Sequence, residues 1–116
     1  MDNRIKNLWL EALRSGEYKQ TNGTLHRLKH FDSIPERHCC LGVLCDLAVK
    51  DGLPVEVKAR IEYVEYDDES CTLPSRVIKW AGLTYNDLFI GNKRLSEYND
   101  EGASFDQIAD LIEKHL

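Results

Sequence analysis

The chain has 116 residues, 42% of them hydrophobic and 30% charged, with a formal net charge of −5. That length suits one domain with its own core, and no apolar run approaches the roughly 18–20 residues of a membrane-spanning helix. The charge is uneven, ten Lys/Arg against eight Asp/Glu in residues 1–60 and five against twelve in 61–116, which argues against a general nucleic-acid surface and directs any anionic ligand to the first half.

Met1-Asp2-Asn3-Arg4 leads into an amphipathic pattern and not an apolar leader, so a cytoplasmic protein is expected. Without a secretion signal, Cys39, Cys40, Cys45 and Cys71 are expected as reduced thiols. Asp2 can cap a first helix. Ile5, Leu8, Trp9, Ala12 and Leu13 then form one apolar stripe, and Gly16 suits the position just past the helix. Asn22-Gly23 is a strong hairpin signal and predicts strands at 18–21 and 24–28. Lys29 to Glu36, with Ser33-Ile34-Pro35, reads as a loop.

His38 to Val49 is the most apolar run and predicts a short central helix, buried on most faces and stopped by Lys50-Asp51-Gly52. Gly42 costs such a helix about 1 kcal/mol against alanine, which implies close approach by another element. From Val55 to Tyr63 apolar and charged residues alternate, predicting a half-buried strand at 55–65. Asp67 to Ser70 reads as a turn. Pro74 opens a helix whose inner face is Val77, Trp80 and Ala81 and which Gly82 ends. Residues 87–91 are ambiguous between strand and loop, and 94–98 read as a short helix. Ser104 with Gln107 forms a capping box for a last helix carrying Phe105, Ile108, Ala109 and Ile112 inward.

Four groups of residues could carry chemistry. Cys39, Cys40 and Cys45 with His38 hold enough ligand atoms for a metal, but their spacing does not fit the usual zinc frames. Three small core residues is the plainer reading, and no metal is expected. Cys39 or Cys40 at a helix N-terminus could instead be a nucleophile with a lowered pKa, and Gln20 an oxyanion donor, yet no downstream histidine is placed to act as base. The predicted hairpin gathers Arg14, Tyr18, Lys19, Gln20 and Arg27, cations, donors and one aromatic face that suit a small anionic or nucleotide-type ligand. An exposed hairpin of solvated residues is the plainer alternative. Leu95 to Leu116 has a helix-turn-helix rhythm, but Glu97, Asp100, Glu101, Asp106, Asp110 and Glu113 would repel phosphates, so a packed helical hairpin is expected.

Trp9-Leu-Glu-Ala12-Leu13-Arg14-Ser15-Gly16-Glu-Tyr18-Lys-Gln20, Gly23-x-Leu25, Cys39-Cys40-Leu41-Gly42-Val43-Leu44-Cys45-Asp46-Leu47, Leu73-Pro74, Trp80-Ala81-Gly82-Leu83 and Asn99-Asp100-x-Gly102-x-Ser104-Phe105-x-x-Ile108-Ala109-Asp110-x-Ile112-Glu113 follow one another along nearly the whole chain. In these segments the chain resembles a family of small uncharacterised proteins common in tailed phages and prophages. The resemblance implies an accessory protein in the cytoplasm of an infected bacterial cell. It supplies no catalytic residue. By analogy of context, such proteins often counter host defences, some by sequestering nucleotide signals.

The expected fold is a single α+β domain over 1–116. A central Cys-rich buried helix is flanked by helices and by a small, mostly antiparallel sheet made from the 18–28 hairpin and the 55–65 strand. Val57 and Ile61 are expected in the core with the inner faces of the helices. The leading functional expectation is a non-enzymatic protein binding a small anionic ligand through Arg14, Tyr18, Lys19, Gln20 and Arg27, without a cofactor, nucleic acid or membrane. A protein–protein inhibitor of a host factor through the acidic surface, and a cysteine-dependent hydrolase or transferase, are the alternatives. A homodimer is also compatible with a hairpin edge.

Overall fold

A computed structural model describes residues 1–30 and 33–116. The part of the expected 29–36 loop at positions 31–32 lies outside the described residues. The fold is α+β, and the described residues form five helices and three short antiparallel ribbons. Among the described residues no helix is long and apolar enough to cross a membrane.

Helix α1 spans Asn3–Arg14, and the Asp2 carboxylate caps it by accepting the Ile5 N–H at 3.0 Å. Its buried residues are Ile5, Trp9, Leu10 and Leu13. Leu8 and Ala12, expected in the stripe, are half-buried because the face turns toward Leu10. Helix α2, Cys40–Lys50, is the central helix. Seven of its eleven residues are buried, which fits a helix surrounded on most sides. Trp9 donates its indole N–H to the Cys40 carbonyl at 3.0 Å, tying α1 to the first turn of α2. The expected close approach at Gly42 is made by the main chain of Leu25: a Cβ there would stand 1.7 Å from its carbonyl oxygen.

Helix α3, Ser75–Ala81, begins after Pro74 and ends at Gly82, whose φ of 68° is left-handed. Trp80 is half-buried and donates to Asp51, which also takes Arg4 from α1, so one carboxylate past the end of α2 joins three helices. Helix α4, Leu95–Asp100, leads to α5, Phe105–His115. The Ser104–Gln107 capping box forms in both directions. α5 packs against α4 and, more extensively, against α1.

Strands β1 (His26–Arg27) and β2 (Arg37–His38) form one ribbon, β3 (Val57–Ala59) and β4 (Val64–Tyr66) a second, and β5 (Phe89–Ile90) and β6 (Lys93–Arg94) a third. These do not merge into one sheet, although a single bridge between Arg27 and Tyr63 joins the first two. The 18–28 hairpin is therefore a correction. Gly23 does turn, at φ 76°, but the flanking segments do not pair with each other. Leu25 gives its N–H to Ser70 at 2.7 Å and its carbonyl to Cys39 at 3.0 Å, while residues 19–21 bond to His38. With those main-chain groups engaged, the local hairpin has no ladder left to form.

The single strand at 55–65 is the second correction. Its sequence is a hairpin of its own, turning between Ala59 and Val64. All three residues of β3 are exposed and Ile61 is 96% exposed, so Val57 and Ile61 leave the core; Val64 and Tyr66 take their place. Alternation correctly marks extended chain here, but this ribbon's outer strand has no layer beneath it to bury the apolar side.

Candidate functional site

The β1/β2 ribbon has two chemically distinct faces. Its register sets His26 opposite His38 and Arg27 opposite Arg37. Successive strand residues point to opposite sides, so the histidines share one face and the arginines the other.

The histidine face is turned inward, with His26 and His38 only 7% and 6% exposed. Their rings stack with centroids 3.9 Å apart. Tyr66 of β4 places its hydroxyl 2.8 Å from His26 Nδ1, and the Glu36 carboxylate lies against His26 Nε2. On the far side the Tyr18 ring meets His38 edge-on. Tyr18 donates to Asp46 and accepts from Lys50 at 3.0 Å. Burial pushes the Tyr18 phenol up, and Asp46 adds to it. Burial would also raise Asp46, but the Tyr18 hydroxyl and Lys50 outweigh it and hold the carboxyl below its ordinary value. Burial, with the neighbouring His26, lowers His38 to about 4, so that ring is neutral at pH 7. Among the described residues its Nε2 is buried without a hydrogen-bond partner. A recess of about 350 Å³ opens here, bordered by Glu17, Tyr18, Lys19, Glu36, His38, Asp46 and Lys50.

The arginine face borders a separate recess of about 240 Å³ with Lys29, His30, Ile34, Ile61 and Glu62. Arg27 Nε donates to Thr21 Oγ1 at 3.1 Å and Nη2 to the Asn22 carbonyl; Arg37 Nε donates to the Pro35 carbonyl. Among the described residues neither guanidinium makes an ion pair with a carboxylate. Like charges placed directly across a ladder oppose pairing, so this arrangement costs stability wherever no anion compensates it.

The five residues expected to hold a ligand do not share one recess. Tyr18 and Lys19 border the histidine recess and Arg27 the arginine recess. Gln20 donates to Asn99 Oδ1 at 2.9 Å and to the Ala103 carbonyl at 2.8 Å, holding α4 and the start of α5. Arg14 pairs with Asp110 at 2.8 Å and Glu113 at 2.6 Å, clamping α1 to α5. The sequence reading overlooked Arg37, Glu36 and the His26–His38 pair. A signal was present: His-Arg at 26–27 and Arg-His at 37–38 are mirror images, the order that antiparallel pairing would bring face to face.

A family model for a domain of unknown function, DUF8296, matches residues 1–116. The chain belongs to the DUF8296 family. No curated protein and no solved structure matches it.

Three of the four cysteines of this DUF8296 domain settle into the core. Cys40 and Cys45 have no exposed surface and Cys39 is 5% exposed. Cys39 does cap α2, accepting the Gly42 N–H at 3.4 Å, but burial outweighs that and pushes its thiol up to about 11. The lowered pKa expected of a helix N-terminus is thus reversed, because desolvation of the thiolate exceeds what the helix dipole returns. Cys71 alone is exposed. Iodoacetamide at neutral pH is therefore expected to modify one thiol in the native protein and all four in urea, counted by intact mass. Rapid native labelling of Cys39 would restore the nucleophile reading.

Proposed function

We propose that this DUF8296 protein is a non-enzymatic phage accessory protein that binds a small anionic, nucleotide-type ligand at the arginine face of the β1/β2 ribbon. The observation that carries this reading is the pair Arg27–Arg37, set directly opposite each other and, among the described residues, without an ion pair to a carboxylate. A phosphate group accepts from guanidinium forks on two sides and removes the repulsion that the register creates. Ile61 and Ile34 flank the arginines with exposed apolar surface, which suits the organic part of such a ligand. Of the five residues first expected at the ligand, Arg27 keeps that role. Arg14 and Gln20 serve the packing of α1, α4 and α5 instead.

The phage setting and the sequestering of a defence signal rest on the family resemblance of the sequence. The acidic half offers less as a docking surface than its composition promises, since Asp110 and Glu113 are taken by Arg14 and Glu101 by Lys93.

Titration calorimetry with nucleoside monophosphates and cyclic dinucleotides tests the reading. Arg27→Glu and Arg37→Glu should each abolish binding, because a charge-assisted hydrogen bond contributes about 1.5–3 kcal/mol and the substitution adds repulsion. Arg14→Glu should leave affinity unchanged while lowering stability. Unaltered affinity in Arg27→Glu, or no binding by any of these anions at millimolar concentration, removes the arginine face from consideration.

A further inference from the structure

The opposite face of the same ribbon carries a different chemistry, independent of the anion reading. One ring nitrogen from each of His26 and His38 and one carboxylate oxygen of Glu36 all lie within 4.8 Å of one another. We propose that His26, Glu36 and His38 form a binding site for a single divalent transition-metal ion of the zinc type.

Three observations support it. First, among the described residues His38 Nε2 is a buried polar atom with no hydrogen-bond partner. Such atoms are rare in native proteins and cost about 1–3 kcal/mol when left unpaired; a metal ion is one way to satisfy an imidazole lone pair. Second, Tyr66 engages His26 Nδ1 and so fixes which nitrogen faces the cluster. In the tautomer whose Nδ1 proton goes to Tyr66, Nε2 presents its lone pair beside the Glu36 carboxylate, and a cation between them would satisfy both. An outer hydrogen bond to the second nitrogen is the usual support of a metal-bound histidine. Third, the adjoining recess gives a path from solvent. Its charged border holds Glu17, Glu36 and Asp46 against Lys19 and Lys50, a balance that admits a cation.

The donor set decides the class of metal. Two imidazoles and one carboxylate suit zinc and its transition-metal neighbours, whereas calcium and magnesium prefer oxygen donors alone. Zinc–ligand bonds of about 2.1 Å place tetrahedral donors roughly 3.4 Å apart. To reach that spacing Glu36, now in contact with His26 Nε2, must draw back from it, and its side chain is 53% exposed. The two stacked rings, 23° from parallel, must splay further so that both lone pairs converge. A water molecule would complete four-coordination from the recess.

Calorimetric titration of zinc chloride into the Cys71→Ser protein tests this, that background removing the one exposed thiol. The expected result is one ion per chain, a rise in Tm with zinc, and displacement of the His26 and His38 ring-nitrogen resonances. Glu36→Gln should weaken uptake by at least about tenfold, and His38→Gln by more; Tyr66→Phe should cost about tenfold by freeing the His26 ring. Glu36 lies at the surface, so its variant remains informative if His38→Gln does not fold. No uptake, or uptake unchanged in Glu36→Gln, overturns the proposal: the first would leave a hydrogen-bonded His26–Glu36 pair, the second would place the ion elsewhere.

Discussion

Gly42→Ala is expected to destabilise the domain by about 3–5 kcal/mol, the upper end of what overpacking one carbon can do. The new Cβ would meet the Leu25 carbonyl oxygen at 1.7 Å and its carbon at 2.6 Å. Both are backbone atoms, so no side chain can swing aside. Leu25 is held on both sides, its N–H by Ser70 and its carbonyl by Cys39. Relief would require α2 to withdraw from the Leu25 main chain. Alanine's better helix propensity returns only about 1 kcal/mol, which does not offset the clash. Since small domains have about 5–15 kcal/mol in total, the variant should unfold at a urea concentration lower by about 2 M, taking a slope near 2 kcal/mol per molar. Gly52→Ala gives the contrast: its φ of 91° disfavours a side chain, but nothing lies within 4 Å, so a loss of about 1 kcal/mol is expected. A midpoint for Gly42→Ala equal to that of the unaltered protein would show that α2 and Leu25 are not in this contact.

Asn99→Ala should be nearly as damaging, at about 3 kcal/mol. Asn99 is 3% exposed and its amide bonds four neighbours, Asp100 at 3.4 Å and three others more closely. Its Oδ1 accepts the Cys40 N–H at 3.1 Å and the Gln20 amide at 2.9 Å; its Nδ2 donates to the Thr21 carbonyl at 2.8 Å. The Cys40 N–H is one of the first in α2, where no earlier turn supplies a carbonyl. Truncation leaves these groups buried and unpaired at about 1–3 kcal/mol each, less than additively. Hydrogen exchange should show the Cys40 amide losing protection before the later turns of α2. A double-mutant cycle with Gln20→Ala should give coupling of about 0.5–3 kcal/mol; zero coupling would mean that Gln20 does not hold Asn99 and would return it to the pool of ligand candidates.

Helices were the legible part of this sequence. Asp2, Gly16, Gly82 and the Ser104–Gln107 pair each announce a helix end through chemistry confined to a few neighbouring residues, and the structure uses them so. Gly42 even signalled its close contact, though not with which segment. Strands were legible only as extended chain. Asn22-Gly23 is a valid turn signal, yet the partner of residues 26–27 lies ten residues further on, at 37–38, and no local pattern states which main-chain groups a helix N-terminus will claim first. The candidate site suffered from the same limit. Arg14 and Gln20 have the right chemistry for a ligand, but their partners, Asp110, Glu113, Asn99 and Ala103, come from the other end of the chain. Whether a polar side chain is available to a ligand is a question about distant residues.

The packing of α1 on α5 has a consequence for how the protein is made. Arg14 and Lys6 reach partners 96 to 107 positions away. During synthesis the first helix leaves the ribosome with its apolar stripe uncovered, and the α5 surface that covers part of it emerges about a hundred residues later. At about 5–20 residues per second, that interval lasts roughly 5–20 seconds. Through it the nascent chain displays Ile5, Trp9 and Leu13 to the surrounding medium, a natural stopping place for a chaperone that binds short apolar segments and one that empties when α5 docks.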